Sequence, residues 1–224
     1  MSESVLPFVV TLDGPAGSGK TTLARMLAER LGVAYLDTGA MYRAVAWALG
    51  PDASDWPEER LGPALKGLDF SLKGSGENTR LQLMGLTLGD EIRSEDMGRR
   101  ASDLAKRAEV RTFLTRAQQS LGRTTSLVAE GRDMGTVVFP RARFKYYLTA
   151  SVDVRAKRRW QQLREAGQDP GSPEDIARAI AARDDQDAKR ELAPLRPAED
   201  SIRIDTGLSG PEAVLEVILQ TMAG

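Results

Sequence analysis

Asp13-Gly14-Pro15-Ala16-Gly17-Ser18-Gly19-Lys20-Thr21-Thr22 follows the apolar, β-branched run Phe8-Val9-Val10-Thr11-Leu12 and precedes Leu23, Met26, Leu27 and Leu31, which recur at helical spacing. A strand that ends in a glycine-rich turn and reopens as a helix is the setting in which G-x-x-x-x-G-K-[ST] carries chemistry, and Gly14 to Thr21 fits that pattern. The glycines let backbone N–H groups close on phosphate oxygens, the helix N-terminus adds partial positive charge, and Lys20 reaches the β- and γ-phosphates. Thr21 is placed to ligate Mg2+. The stretch predicts a nucleoside triphosphate site built from Gly14, Pro15, Ala16, Gly17, Ser18, Gly19, Lys20, Thr21 and Thr22. It is silent on what receives the phosphoryl group.

Beyond this stretch, Gly32 reads as a C-cap and residues 33–36 as a second strand, leading through Asp37-Thr38-Gly39 into a helix from about 40 to 49. Residues 50–57 read as a loop. Residues 68–72 and 79–83 alternate as a hairpin around Gly74-Ser75-Gly76-Glu77-Asn78. Helical patterns resume over about 94–121. Residues 126–130 and 143–150 then read as buried strands separated by a long turn containing Gly131 and Gly135. Helices are expected over 152–166 and 174–192, on either side of a Gly/Pro-rich segment at 167–173, and a strand at 202–205 and a helix at 211–222 complete the pattern. Strands alternating with helices predict an α/β fold with a central parallel sheet covered on both faces, and ligands at the carboxyl ends of its strands.

A chain of 224 residues holds one α/β core with appendages. Lys and Arg total 31 against 32 Asp and Glu, so the net charge of −1 supplies no global field for capturing nucleic acid or an anionic membrane. With no Cys and no His, thiolate metal sites, a Cys nucleophile and the commonest general base are all excluded. No apolar run approaches bilayer length and no basic segment precedes a signal-type stretch, which predicts a cytoplasmic location. Of the 31 basic residues 24 are Arg, whose fork suits bidentate phosphate recognition.

A switch that reads guanine needs N-K-x-D, and the single Asn, Asn78, is followed by Thr79. An alcohol acceptor gains from a carboxylate base, whereas a phosphate monoester is already ionised at neutral pH and demands cations instead. Arg43, Arg132, Arg183 and Arg190 supply such cations. Two polyanions brought together repel, so several positive groups are needed to hold them in line.

The segments Asp13 to Thr22, Asp37-Thr38-Gly39-Ala40-Met41-Tyr42-Arg43, Gly131-Arg132-Asp133-Met134-Gly135-Thr136-Val137-Val138-Phe139-Pro140 and Arg183-Asp184-Asp185-Gln186-Asp187 together resemble bacterial cytidylate kinases, members of the P-loop nucleoside monophosphate kinases. The resemblance runs nearly end to end. It implies a three-layer α/β/α P-loop NTPase fold in one domain, with a core at about 5–37, 95–153 and 190–224. A β-containing monophosphate-binding insert at about 38–94 and a short helical lid at about 154–189 would complete it. The implied reaction is Mg2+-dependent phosphorylation of CMP, and of dCMP, by ATP, in a cytoplasmic monomer that needs no nucleic acid or membrane partner. By the same resemblance Thr38, Arg43, Arg132 and Arg190 contact the acceptor phosphate, Arg183 and Asp187 the ribose, and Ser102, Arg111 and Asp133 the base. Lys20, Arg43 and Arg132, with Arg155 and Arg159 from the lid, would stabilise the transferring group. A carboxylate at Asp133 suits the N4 amino donor of cytosine and repels the oxygen of uracil. The sequence departs from the family pattern at Thr38 for Ser, Glu130 for Asp, Gln186 and Ala188. Asp184 and Asp185 read as helix-surface charges outside the site. Another small-molecule P-loop kinase, or an ATP-dependent switch or nucleic-acid-associated module, stays compatible with the phosphate loop alone.

Overall fold

Five short strands form the main sheet of the computed structural model, which describes residues 6–223. They are β1 (Val9–Asp13), β2 (Ala34–Asp37), β6 (Leu127–Gly131), β7 (Phe144–Thr149) and β8 (Ile202–Asp205), in the spatial order β2-β6-β1-β7-β8. β7 pairs in parallel with β1 and with β8. Such pairing requires crossover connections, and helices supply them. A second, antiparallel sheet joins β3 (Phe70–Lys73), β4 (Arg80–Leu83) and β5 (Leu86–Thr87). The helices are α1 (Lys20–Leu31), α2 (Thr38–Leu49), α3 (Glu58–Lys66), α4 (Glu95–Leu104), α5 (Ala108–Thr124), α6 (Val152–Glu165), α7 (Pro173–Ala188) and α8 (Pro211–Ala223). The expected three-layer α/β class with a mostly parallel central sheet is the class found.

Two compact units divide the chain, one containing Leu27–Ala129 with the segment up to Val9, the other Val10–Met26 with the segment from Glu130 onward. In the first, Leu36, Met41, Val45, Leu61, Val110 and Leu114 are fully buried, and α4 packs on α2 while α5 packs on α3. In the second, Leu12, Leu23, Tyr146, Leu148 and Ile218 form the core. A smaller cluster of Ala156, Ile176 and Ile180, with Trp160 and Leu163 against it, joins α6 to α7. Each fully buried Leu, Ile, Val or Met among them contributes ~1.5–3 kcal/mol.

Several sequence expectations shift. α1 ends as predicted, at Gly32 with φ +65°, where Val33 N–H reaches back to Ala28 O at 3.0 Å. The helical patterns expected over 94–121 form two helices parted at Arg107, whose guanidinium is anchored on the Ser54 and Trp56 carbonyls, each at 2.8 Å, and whose backbone is extended. α3 had no counterpart in the sequence reading, since Gly62 and Pro63 mask the Leu61/Leu65 spacing that buries one face. The hairpin of 68–83 gains a third strand, β5. The long turn after β6 keeps its expected length, displaced by one residue, and has structure of its own: Gly131 is the last residue of the strand, and Met134–Val138 forms a single π-helical turn closed by Phe139 N–H on Met134 O at 2.7 Å. α7 stops at Ala188 rather than near 192, so Arg190 lies beyond the helix. Among the described residues no helix is long and apolar enough to cross a membrane.

Candidate active site

The phosphate loop lies between β1 and α1, as its sequence requires. Gly14, Gly17 and Gly19 have φ of +148°, +76° and +85°, a region open to glycine at little cost. Three loop carbonyls, groups that an anion would repel, are tied to other partners. Pro15 O accepts from Lys20 Nζ at 2.6 Å, Ala16 O from Arg155 Nη1 at 3.1 Å, and Ser18 O from Thr206 Oγ1 at 2.9 Å. Thr206 is itself buried and receives Arg158 Nη1 at 3.0 Å. With those carbonyls tied up, backbone N–H groups and the Lys20 ammonium are the loop groups whose charge suits an anion.

Lys20 is buried. Burial pulls its ammonium down to about 7, the Arg132 charge beside it and the more distant Arg183 add to that, and Glu130 and Asp13 oppose it. Asp13, at the end of β1, accepts from the N–H groups of Met134 at 2.9 Å and Gly135 at 2.7 Å, which fixes the π-helical turn. Burial nevertheless pushes its carboxyl up to about 6. Thr21 Oγ1 donates to Glu130 Oε2 at 3.0 Å. A hydroxyl and a carboxylate in contact are the hard oxygen donors that Mg2+ takes, so these residues fit the ion. Among the described residues no three His, Cys, Asp or Glu side chains converge to cage a metal, so a Mg2+ ion would draw its other ligands from substrate phosphates and water.

Arg132 and Asp133 follow β6 directly. Arg132 Nε donates to Asp187 Oδ2 at 2.9 Å, and Arg190 Nη2 lies 3.7 Å from Asp187 Oδ1. One carboxylate on α7 thus holds two arginines. Asp133 is buried. Arg183 sits on α7, close enough for its charge to act on Lys20. Arg155 is only 4% exposed at its side chain, donates Nε to Ala150 O at 2.9 Å and pairs through Nη2 with Asp184 at 2.7 Å. Asp184 is therefore no surface charge, contrary to expectation. Its neighbour Asp185 is one, and pairs with Lys189 at 2.8 Å. Arg159 and Thr22 are exposed.

The first unit positions the other predicted residues by itself. Asp37 caps α2, accepting Ala40 N–H at 2.8 Å, and its second oxygen takes Arg43 Nη2 at 3.2 Å. Thr38, now the first residue of α2, is buried. Arg111 on α5 is buried rather than solvated, with its guanidinium 5.9 Å from the Tyr42 ring centroid. Ser102 is half-buried on α4.

A family model for cytidylate kinase matches residues 10–223. The chain belongs to the cytidylate kinase family. A cytidylate kinase from Maridesulfovibrio salexigens is 56% identical over 200 residues, 89% of each chain. Another, from Oleidesulfovibrio alaskensis, is 50% identical over 96% of this chain and 97% of its own length. The more distant cytidylate kinase of Thermosipho melanesiensis is 44% identical over 97% of both chains. A crystal structure of an uncharacterized protein from Eubacterium ventriosum superposes with a TM-score of 0.53 at 11% identity, covering 97% of this chain and 99% of that one, and speaks to the fold alone. Nothing in these relationships supports the switch or nucleic-acid module.

For a cytidylate kinase chain, the sequence reading missed four residues that the geometry draws in: Asp13, Glu130, Asp184 and Thr206. Only Glu130 carried a signal, at the end of an apolar strand. Asp13 and Thr206 act on backbone atoms that no motif names, and Asp184 acts on the Arg155 side chain from another helix.

Proposed function

We propose that the protein transfers the terminal phosphoryl group of ATP to the phosphate of CMP, and of dCMP, giving the diphosphate and ADP. The observation that carries this reading is the set of cations gathered beside the phosphate loop, Lys20, Arg132, Arg155 and Arg183, with Asp187 holding Arg132 and Arg190 in place. The acceptor phosphate is ionised at neutral pH and needs no base. What it needs is alignment against another polyanion and compensation of charge at the three equatorial oxygens of the transferring group.

Lys20 and the loop hold the donor phosphates. Arg43, Thr38, Arg132 and Arg190 take the acceptor phosphate, Arg183 and Asp187 the ribose, and Ser102, Arg111 and Asp133 the base, with Asp133 accepting from the N4 amino group. Arg159 adds charge at the transferring group, while Arg155, whose nitrogens are held by Ala150 O, Ala16 O and Asp184, serves the donor site through the loop it braces. Thr21 and Glu130 would hold Mg2+, which neutralises charge on the donor phosphates when bound. Residues 38–94 serve acceptor binding and residues 154–189 act as a lid that excludes water. The protein works as a cytoplasmic monomer in pyrimidine nucleotide metabolism, a reading supported by residues for every one of these roles within one chain.

The test is ADP formation with ATP and Mg2+ and each of CMP, dCMP, UMP, AMP and GMP, against a control without acceptor. Turnover with CMP and dCMP well above UMP, and none with purines, is expected. Equal ADP formation without acceptor, or turnover with AMP alone, overturns the reading.

A further inference from the structure

We infer that Asp184 is a positioning residue for the donor site: it fixes Arg155 against the outside of the phosphate loop and thereby sets the loop's shape before ATP arrives. This rests on ATP being the ligand of that loop.

All three kinds of Arg155 nitrogen are committed. Nε is on Ala150 O at 2.9 Å, at the foot of α6. Nη1 is on Ala16 O at 3.1 Å, inside the loop. Nη2 is on Asp184 Oδ2 at 2.7 Å, from α7. The guanidinium therefore ties the phosphate loop, the end of β7 and α7 together, and Asp184 is the carboxylate that pairs with it there. The fit leaves little slack, because a Cβ added at Gly17 would stand 3.1 Å from Arg155 Cβ. Asp184 depends on the contact in turn, since its Oδ1 is buried with no hydrogen-bond partner. Removing either member leaves the other's charge buried and uncompensated. A guanidinium without its carboxylate keeps two carbonyl acceptors but loses the contact that fixes its plane, so its hold on Ala16 O loosens and that carbonyl gains freedom to turn toward the anion site. The consequence falls on donor binding. Asp187, one turn on, belongs to Arg132 and Arg190 and is untouched by a change at Asp184.

The experiment measures ATP binding by calorimetry without acceptor, alongside KM for CMP, in Asp184→Asn, Asp184→Glu, Arg155→Met and the double variant Arg155→Met/Asp184→Asn. Asp185→Asn, on the exposed face, is the control. Asp184→Asn is expected to weaken ATP binding about tenfold while KM for CMP stays within about twofold, and Asp184→Glu to fall between it and the native protein. In the Arg155→Met background the Asp184 change should add little. The inference is overturned if folded Asp184→Asn binds ATP normally, if ATP and CMP weaken together, or if the Asp184 effect persists in full without Arg155. Should Asp184→Asn not fold, Asp184→Glu decides, and unchanged ATP binding there is the contrary result. A native protein that binds ATP but does not phosphorylate CMP would sink the acceptor reading and leave this test standing.

Discussion

Thr21 Oγ1, in the first turn of α1, donates a 3.0 Å hydrogen bond to Glu130 Oε2 near the end of β6. The phosphate loop and the neighbouring strand end are thereby joined at the position where a divalent ion would meet the donor phosphates. Thr21→Val removes the hydroxyl and is expected to lower kcat about 100-fold and raise the Mg2+ concentration needed for half-maximal rate. Thr21→Ser should retain most activity. Mg2+ titrations of initial rate decide it, and an active Thr21→Val with unchanged Mg2+ demand contradicts the assignment.

Lys20 links donor binding to pH. Burial holds its ammonium at about 7 in the free protein, so at pH 8 it is mostly neutral. Bound triphosphate favours the charged form and raises its affinity for the proton. ATP binding at pH 8 should therefore take up a proton, approaching one per site, while at pH 6 Lys20 is already charged and contributes none. Calorimetry in two buffers of different ionisation enthalpy reads this directly. Binding heat independent of buffer at pH 8 contradicts it.

Gly14 should be intolerant of any side chain. Its φ of +148° suits glycine, and a Cβ there would overlap the Leu148 carbonyl oxygen, which belongs to β7 and cannot yield. Gly14→Ala is expected to cost ~2 kcal/mol or more and to abolish ATP binding. Gly32→Ala, with a positive φ but open space around it, should cost about 1 kcal/mol and leave binding intact. Urea denaturation of both variants compares them, and a stable, ATP-binding Gly14→Ala is the contrary outcome.

Acceptor choice should rest on Asp133. It is buried, so a uracil oxygen facing its carboxylate meets an uncompensated acceptor. Asp133→Asn supplies an N–H in its place and is expected to shrink the kcat/KM preference for CMP over UMP by about 100-fold. An unchanged ratio assigns discrimination elsewhere.

The phosphate loop and the cytidylate kinase resemblance were legible because their residues follow fixed local spacing: Gly14 to Thr21 needs only a strand before it and a helix after it. The α/β alternation followed from the same apolar periodicity. The break at Arg107 was not, since it depends on carbonyls about fifty residues away in the chain. Nor was α3, whose Gly62 and Pro63 hide its buried stripe. In the site, arginines announced themselves by type, but their counterions did not. Asp184 and Asp185 are adjacent and alike in sequence, yet one is committed to the nearly buried Arg155 and the other faces solvent with Lys189. Which way each points is settled by packing of α7 on α6, which local sequence does not encode.

The most direct test of the central claim follows the phosphoryl group itself. Purified protein incubated with Mg2+, CMP and ATP carrying an isotopic label on the γ-phosphate should place the label in CDP, in amounts equal to the ADP formed. Label recovered as inorganic phosphate, with CMP unchanged, would contradict the account.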